Sequence, residues 1–88
     1  MDKELKEKLK RFVIDNFMQG EGSLNDSESL FENNIIDSFG LLELIAFVEK
    51  NFHISINPTE AAIENFDSLD KIAKLVGKKL KSGKKNVA

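Results

Sequence analysis

"IIDSFGLLELIAFVEKNF", residues Ile35 to Phe52, is the stretch whose reading decides the fold. Asp and Ser are favoured helix N-caps, so Asp37 or Ser38 opens a helix that the pattern predicts over Ser38 to Phe52. At about 100° per residue, Leu41, Leu44, Ile45, Val48 and Phe52 fall within one sector and form a core face. Phe39, Leu42 and Ala46 form a second apolar group on another side, rimmed by Glu43, Glu49 and Lys50. A helix in a small bundle buries one stripe, so the second group asks for a partner outside the bundle.

Upstream, "DKELKEKLKRFVIDNFMQG" predicts a helix with Leu5, Leu9, Phe12, Val13 and Phe17 on one stripe and Gly20 as its stop. Residues 21–37 lack periodicity and are rich in turn formers, yet hold Leu24, Leu30, Phe31, Ile35 and Ile36. Loops longer than about 12–15 residues are uncommon in compact domains unless functional or disordered. The apolar residues predict a loop pinned to the core. Downstream, "HISIN" alternates like a strand but has no partner strand, so it reads as a connector whose Ile54 and Ile56 plug the core. Asn57-Pro58 then predicts a helix of about two turns over "PTEAAIENF". Its Ala61, Ala62 and Ile63 allow close packing or a gap. "DSLDKIAKLVGKKL" predicts a last helix with Leu69, Ile72, Leu75, Val76 and Leu80 as its stripe. The fold class is all-α: a small four-helix bundle of three longer helices and one short one, with a long first loop.

The chain has 88 residues and no cysteine, so a single modest core must supply its stability without disulfides or a zinc cluster. No apolar run reaches the roughly 20 residues that span a bilayer, and the charged N-terminus lacks the apolar segment of a signal peptide. The expectation is a cytoplasmic monomer that does not insert into membranes. The net charge of −2 hides an asymmetry: +2 over residues 1–11, −11 over 12–70 and +7 over 71–88. The acidic body should attract basic partners and repel nucleic acid. The lysine-rich residues 82–88 read as a disordered solubilising tail beyond a domain of residues 1–81.

No enzyme constellation can be assembled. His53 is the only histidine, placed just past the second helix as a surface or capping residue. There is no phosphate-binding loop. A calcium loop counted from Asn25 would need Gly where Leu30 stands and Glu where Ile36 stands.

Asp-Ser before a helix is ordinarily a cap, and the chain has two such pairs, at Asp37-Ser38 and Asp67-Ser68. The first is set apart by its surroundings: a pinned loop before it, a second apolar patch after it, and acidic neighbours. A phosphodiester on Ser38 accounts for all three. A helix N-terminus accommodates a phosphate. Attached cargo would use an apolar cavity of the bundle, and partner enzymes would dock on Phe39, Leu42 and Ala46.

"SLFENNIIDSFGLLELIAFVEKNFHISI" resembles the core of acyl carrier proteins, and the similarity of layout extends over roughly residues 4–80. An apolar pair and an acid (Leu30, Phe31, Glu32) precede the Asp-Ser-apolar triplet. An amphipathic helix, a short extended piece, a short helix and a final helix follow it. The resemblance implies a non-catalytic carrier. Ser38 would receive a covalent 4′-phosphopantetheine arm from a phosphopantetheinyl transferase that uses coenzyme A, with Asp37 helping to bind that transferase or its metal. Phe39, Leu42, Glu43, Ala46 and Glu49 would form the partner-binding face. The arm would hold an acyl group as a thioester, loaded by a ligase or transferase and passed to a synthase or acyltransferase of fatty-acid, polyketide or related biosynthesis. Gly40 and Lys50 stand where carriers of central fatty-acid synthesis often have acids. The Ile-Ile-Asp-Ser-apolar-Gly run is more similar to D-alanyl carriers and free-standing carriers of specialised pathways. An aminoacyl carrier loaded by an adenylating ligase is therefore the first alternative. A helical adaptor that binds a partner through Phe39, Leu42 and Ala46, with Ser38 as a plain cap, is the alternative of another class. Ser68 reads as a plain cap: too little chain follows it, and its helix is basic.

Overall fold

In the computed structural model the chain forms four α-helices: α1 Asp2–Phe17, α2 Ser38–Phe52, α3 Ile63–Phe66 and α4 Leu69–Val87. The structure describes residues 3–81. The outer ends of α1 and α4 are backbone bounds only, and the tail expected over 82–88 lies outside the described residues. No strand occurs among the described residues, and "HISIN" is the connector expected of it.

One core joins all four helices and the first loop. Leu5, Leu9 and Val13 come from α1, Leu44 and Val48 from α2, Phe66 from α3, and Leu69, Ile72, Ala73, Leu75 and Val76 from α4. Leu80 leaves its expected stripe and stays 39% exposed. The first loop is pinned as its apolar residues predict, with Leu24, Leu30 and Ile36 buried. Polar contacts fix it further. The Asp67 carboxylate accepts hydrogen bonds from Ser29 Oγ at 2.7 Å and from the Phe31 amide at 3.1 Å. The Leu30 amide donates to the Asp67 carbonyl at 2.7 Å, and the Asp70 amide donates to the Asp26 carbonyl at 3.0 Å. Lys6 bridges Asp70 at 2.8 Å, and Lys10 reaches Asp26 at 3.4 Å.

Helix α1 ends as Gly20 requires. Gln19 and Gly20 take φ of 58° and 76°, and the Gly20 amide closes back on the Ile14 carbonyl at 2.8 Å. Helix α2 ends at His53, exposed and left-handed at φ 54° and ψ 48°, which is the capping position expected for it.

The predicted two-turn helix from Asn57 is corrected. Asn57 does start a turn: its side chain accepts from the Glu60 amide at 2.9 Å, and the Glu60 carboxylate accepts from the Asn57 amide at 3.1 Å. The turn does not propagate. Glu60 is drawn to Lys79 at 2.7 Å, and Ala62 is extended at φ −113° and ψ 149°, so α3 has only four residues. One reciprocal cap satisfies a first turn, but without packing on its apolar side a nascent helix costs more order than it returns.

Candidate functional site

The N-terminus of α2 divides its two polar residues between two jobs. Asp37 is the N-cap: extended at φ −122° and ψ −165°, it accepts the Gly40 amide on Oδ1 at 2.9 Å. Its carbonyl accepts the Leu41 amide at 2.9 Å and so begins the helical ladder. Ser38 is therefore the first helical residue. It is exposed, and its hydroxyl bonds to no described residue. The Ser38 and Phe39 amides find no acceptor among the described residues either, so two N–H groups of the positive helix end stand without a partner beside the hydroxyl. That arrangement suits an anion esterified to Ser38 Oγ.

The other Asp-Ser pair is spent on structure. Ser68 is 5% exposed, and its Oγ accepts the Lys71 amide at 3.2 Å, capping α4. Asp67 clamps the first loop as described. Both side chains are engaged within the fold.

The expected partner face is partly assembled. Phe39 and Leu42 are 77% and 63% exposed, large values for apolar side chains of this size. Glu43 and Ala46 are exposed beside them. Glu49 is not on this open face: it is half-buried, and its carboxylate accepts the Ile56 amide at 2.8 Å, which ties the connector to α2.

Two contributors to the site's support escape the pattern read from sequence. Gly40 is buried, and a Cβ built on it would stand 3.0 Å from Ile36 Cβ and 3.2 Å from the Phe17 ring. A glycine inside a helical pattern was the available signal. Phe47 lies on neither apolar group. It stacks on Phe12 with centroids 4.0 Å apart and docks α2 on α1. Together they floor a groove of about 830 Å³ that α1, the second half of α2 and Leu80 enclose. No cluster of potential metal ligands occurs among the described residues, and no described helix is long and apolar enough to cross a membrane.

Comparison with known proteins yields no matching family model. Individual relatives are found. A probable acyl carrier protein, PigG, from a Serratia strain is 33% identical over 73 residues, covering 82% of this chain and 84% of the relative. The chain belongs to the carrier protein family. A D-alanyl carrier protein from Streptococcus suis is 30% identical over 69 residues, covering 78% of this carrier and 86% of the relative. Another from Streptococcus mutans is 28% identical over the same share of both chains. The four-helix architecture of the carrier accords with this membership.

Proposed function

We propose that Ser38 is the attachment point for 4′-phosphopantetheine and that the chain presents cargo on this arm to partner enzymes without catalysing a reaction itself. The observation that supports this most is the contrast between the two serines. Because Asp37 has taken the cap, the Ser38 hydroxyl remains exposed at the helix end, whereas Ser68 is buried and engaged. In the loading step the Ser38 oxygen attacks the pantetheine-side phosphorus of coenzyme A. The phosphoanhydride bond breaks, adenosine bisphosphate leaves, and the transferase takes the serine proton. The attached arm would supply a thiol for an energy-rich ester linkage to cargo. Asp37 stands beside the reacting oxygen and would help receive the transferase and its metal. Phe39, Leu42, Glu43 and Ala46 would form the docking face, with Glu49 contributing by holding the connector in place.

The partners on this reading are a phosphopantetheinyl transferase, a loading ligase or transferase, and a downstream synthase or acyltransferase. The setting would be the cytoplasm, with the carrier acting as a monomer. The relatives favour two cargo classes. PigG is named an acyl carrier, while both Streptococcus relatives are named D-alanyl carriers, which supports an aminoacyl cargo as the second reading.

Incubation with coenzyme A and a broad-specificity transferase, followed by intact mass measurement, tests the proposal. The expected result is a gain of one phosphopantetheine that disappears in Ser38→Ala and persists in Ser68→Ala. No gain, or a gain that survives Ser38→Ala, overturns it and leaves the adaptor reading.

A further inference from the structure

We infer that a lysine stripe on α4 is a docking surface for an anionic lipid bilayer, on which the carrier rests without inserting. Lys71, Lys74, Lys78 and Lys81 make the stripe, and all are exposed. At about 100° per residue they fall within about 80° of one another and run about 15 Å along the helix. They stand on the side of α4 opposite the buried Leu69, Ile72 and Val76.

The charge of this face is left uncompensated by the fold. None of these lysines forms an ion pair among the described residues. The acids beside them are already matched: Lys6 holds Asp70 at 2.8 Å, and Lys79 holds Glu60 at 2.7 Å. No acid follows Asp70 in the chain.

Solubility alone does not call for such a pattern. Helix α1 is equally wet, yet it sets opposite charges four residues apart, at Lys3 and Glu7, Glu4 and Lys8, and Glu7 and Arg11. Along α4 like charges recur at three and four residues, which works against the helix. Gly77 borders the stripe, three residues after Lys74 and four before Lys81. A Cβ there would meet nothing within 4 Å, so no neighbour in the fold requires glycine, and helix propensity favours alanine. Its missing side chain keeps the edge of the lysine face low.

The chemistry of the face favours lipid over protein. A protein interface is anchored by buried aromatic or arginine side chains at its centre. The stripe offers neither: the only arginine is Arg11 on α1. The large exposed hydrophobics lie elsewhere, with Phe39 and Leu42 on α2, Ile63 on α3, and Leu80 turned toward the aromatic groove. Lysines are flexible point charges without directional preference, and a layer of anionic headgroups asks for nothing more. Because α2 and α4 bury their inner faces in one core, a carrier resting on its lysines keeps Phe39, Leu42 and Glu43 turned away from the lipid. Screening over about 10 Å at 0.1 M salt confines the attraction to the face in contact.

Flotation with vesicles tests the inference, using the full chain without an arm, so the outcome is independent of the reading of Ser38. Vesicles of phosphatidylcholine alone are compared with vesicles holding about 40% phosphatidylglycerol, at about 0.05 M and about 0.5 M salt. The expected result is flotation with the anionic vesicles at low salt and with neither kind at high salt. Lys71→Gln combined with Lys74→Gln should lower the partition coefficient about 25-fold, about fivefold for each charge. Lys8→Gln combined with Lys50→Gln makes the same change in net charge on other faces and should leave it unaltered. Circular dichroism confirms that each variant is folded. Absence of flotation with the anionic vesicles at low salt overturns the inference, as does an equal loss in the Lys8 and Lys50 variant. Retention on immobilised polyglutamate without flotation also overturns it, in favour of an acidic protein partner.

Discussion

Asp37 and Ser68 do the same work at the starts of α2 and α4, and Ser38 does none of it. Asp37→Ala should therefore cost about 1 kcal/mol of stability, as should Ser68→Ala, which leaves the Lys71 amide without its acceptor. For a domain of this length that is a fall of about 4–8 °C in Tm. Ser38→Ala should stay within about 0.5 kcal/mol of wild type, because it removes no hydrogen bond. Thermal melts of the three variants beside their loading measurements separate the roles: only Ser38→Ala should melt normally and refuse the arm. This division was not legible in the residues themselves, since Asp-Ser permits either member to cap. What the sequence did carry was the context of Ser38, namely a long apolar loop before it and two apolar faces after it. The Asp67 clamp was beyond reach, because its partners Ser29 and Phe31 lie 38 and 36 residues away.

Among the elements, α1, α2 and α4 were readable because each buries a stripe at helical spacing. The boundary of α3 was not, because "NPTEAAIENF" contains a good cap with too little apolar surface to pull the next turn into place. Gly40 and Phe47 were missed for a related reason: a face defined by large aliphatic residues omits the position where a neighbour comes closest and the position where two rings stack. Gly40→Ala shows which effect prevails. Helix propensity favours alanine by about 1 kcal/mol, while the clash with Ile36 Cβ, a branch point that cannot swing aside, costs about 1–3 kcal/mol. A lower midpoint in urea is the expected outcome. The Glu60 turn predicts a pH effect. The hydrogen bond from Lys79, and after it that from the Asn57 amide, hold the Glu60 carboxyl below its ordinary value of 4.5. A lowered carboxyl contributes stability above the unfolded value and loses it as pH falls through the folded value, so the contribution should fade below pH 4.5. Melts of Glu60→Gln should show a shallower loss of stability across that acid range than wild type.

At the scale of the whole molecule, charge is partitioned along the chain, with −11 over residues 12–70 and +7 over residues 71–88. A basic partner approaching the α2 face meets Glu43 beside Phe39 and Leu42, whereas the exposed Lys71, Lys74 and Lys78 on α4 would turn it away. Electrostatic steering acts on the rate of encounter and is screened over about 10 Å at 0.1 M salt. Glu43→Lys should therefore slow loading by the transferase, and added salt should slow wild type more than the variant. Steady-state loading rates at several salt concentrations measure this.

The first loop has one further consequence. A connection of twenty residues between helices is ordinarily the place where a protease cuts first. Here Leu30 and Phe31 donate their amides to Asp67, and Asp26 accepts from Asp70. The amide protons of Leu30, Phe31 and Asp70 should exchange with deuterium as slowly as those of the core helices, because they open only when the whole molecule does. Residues 26–31 should likewise survive a digestion that nicks the open stretch at Gly20 to Ser23.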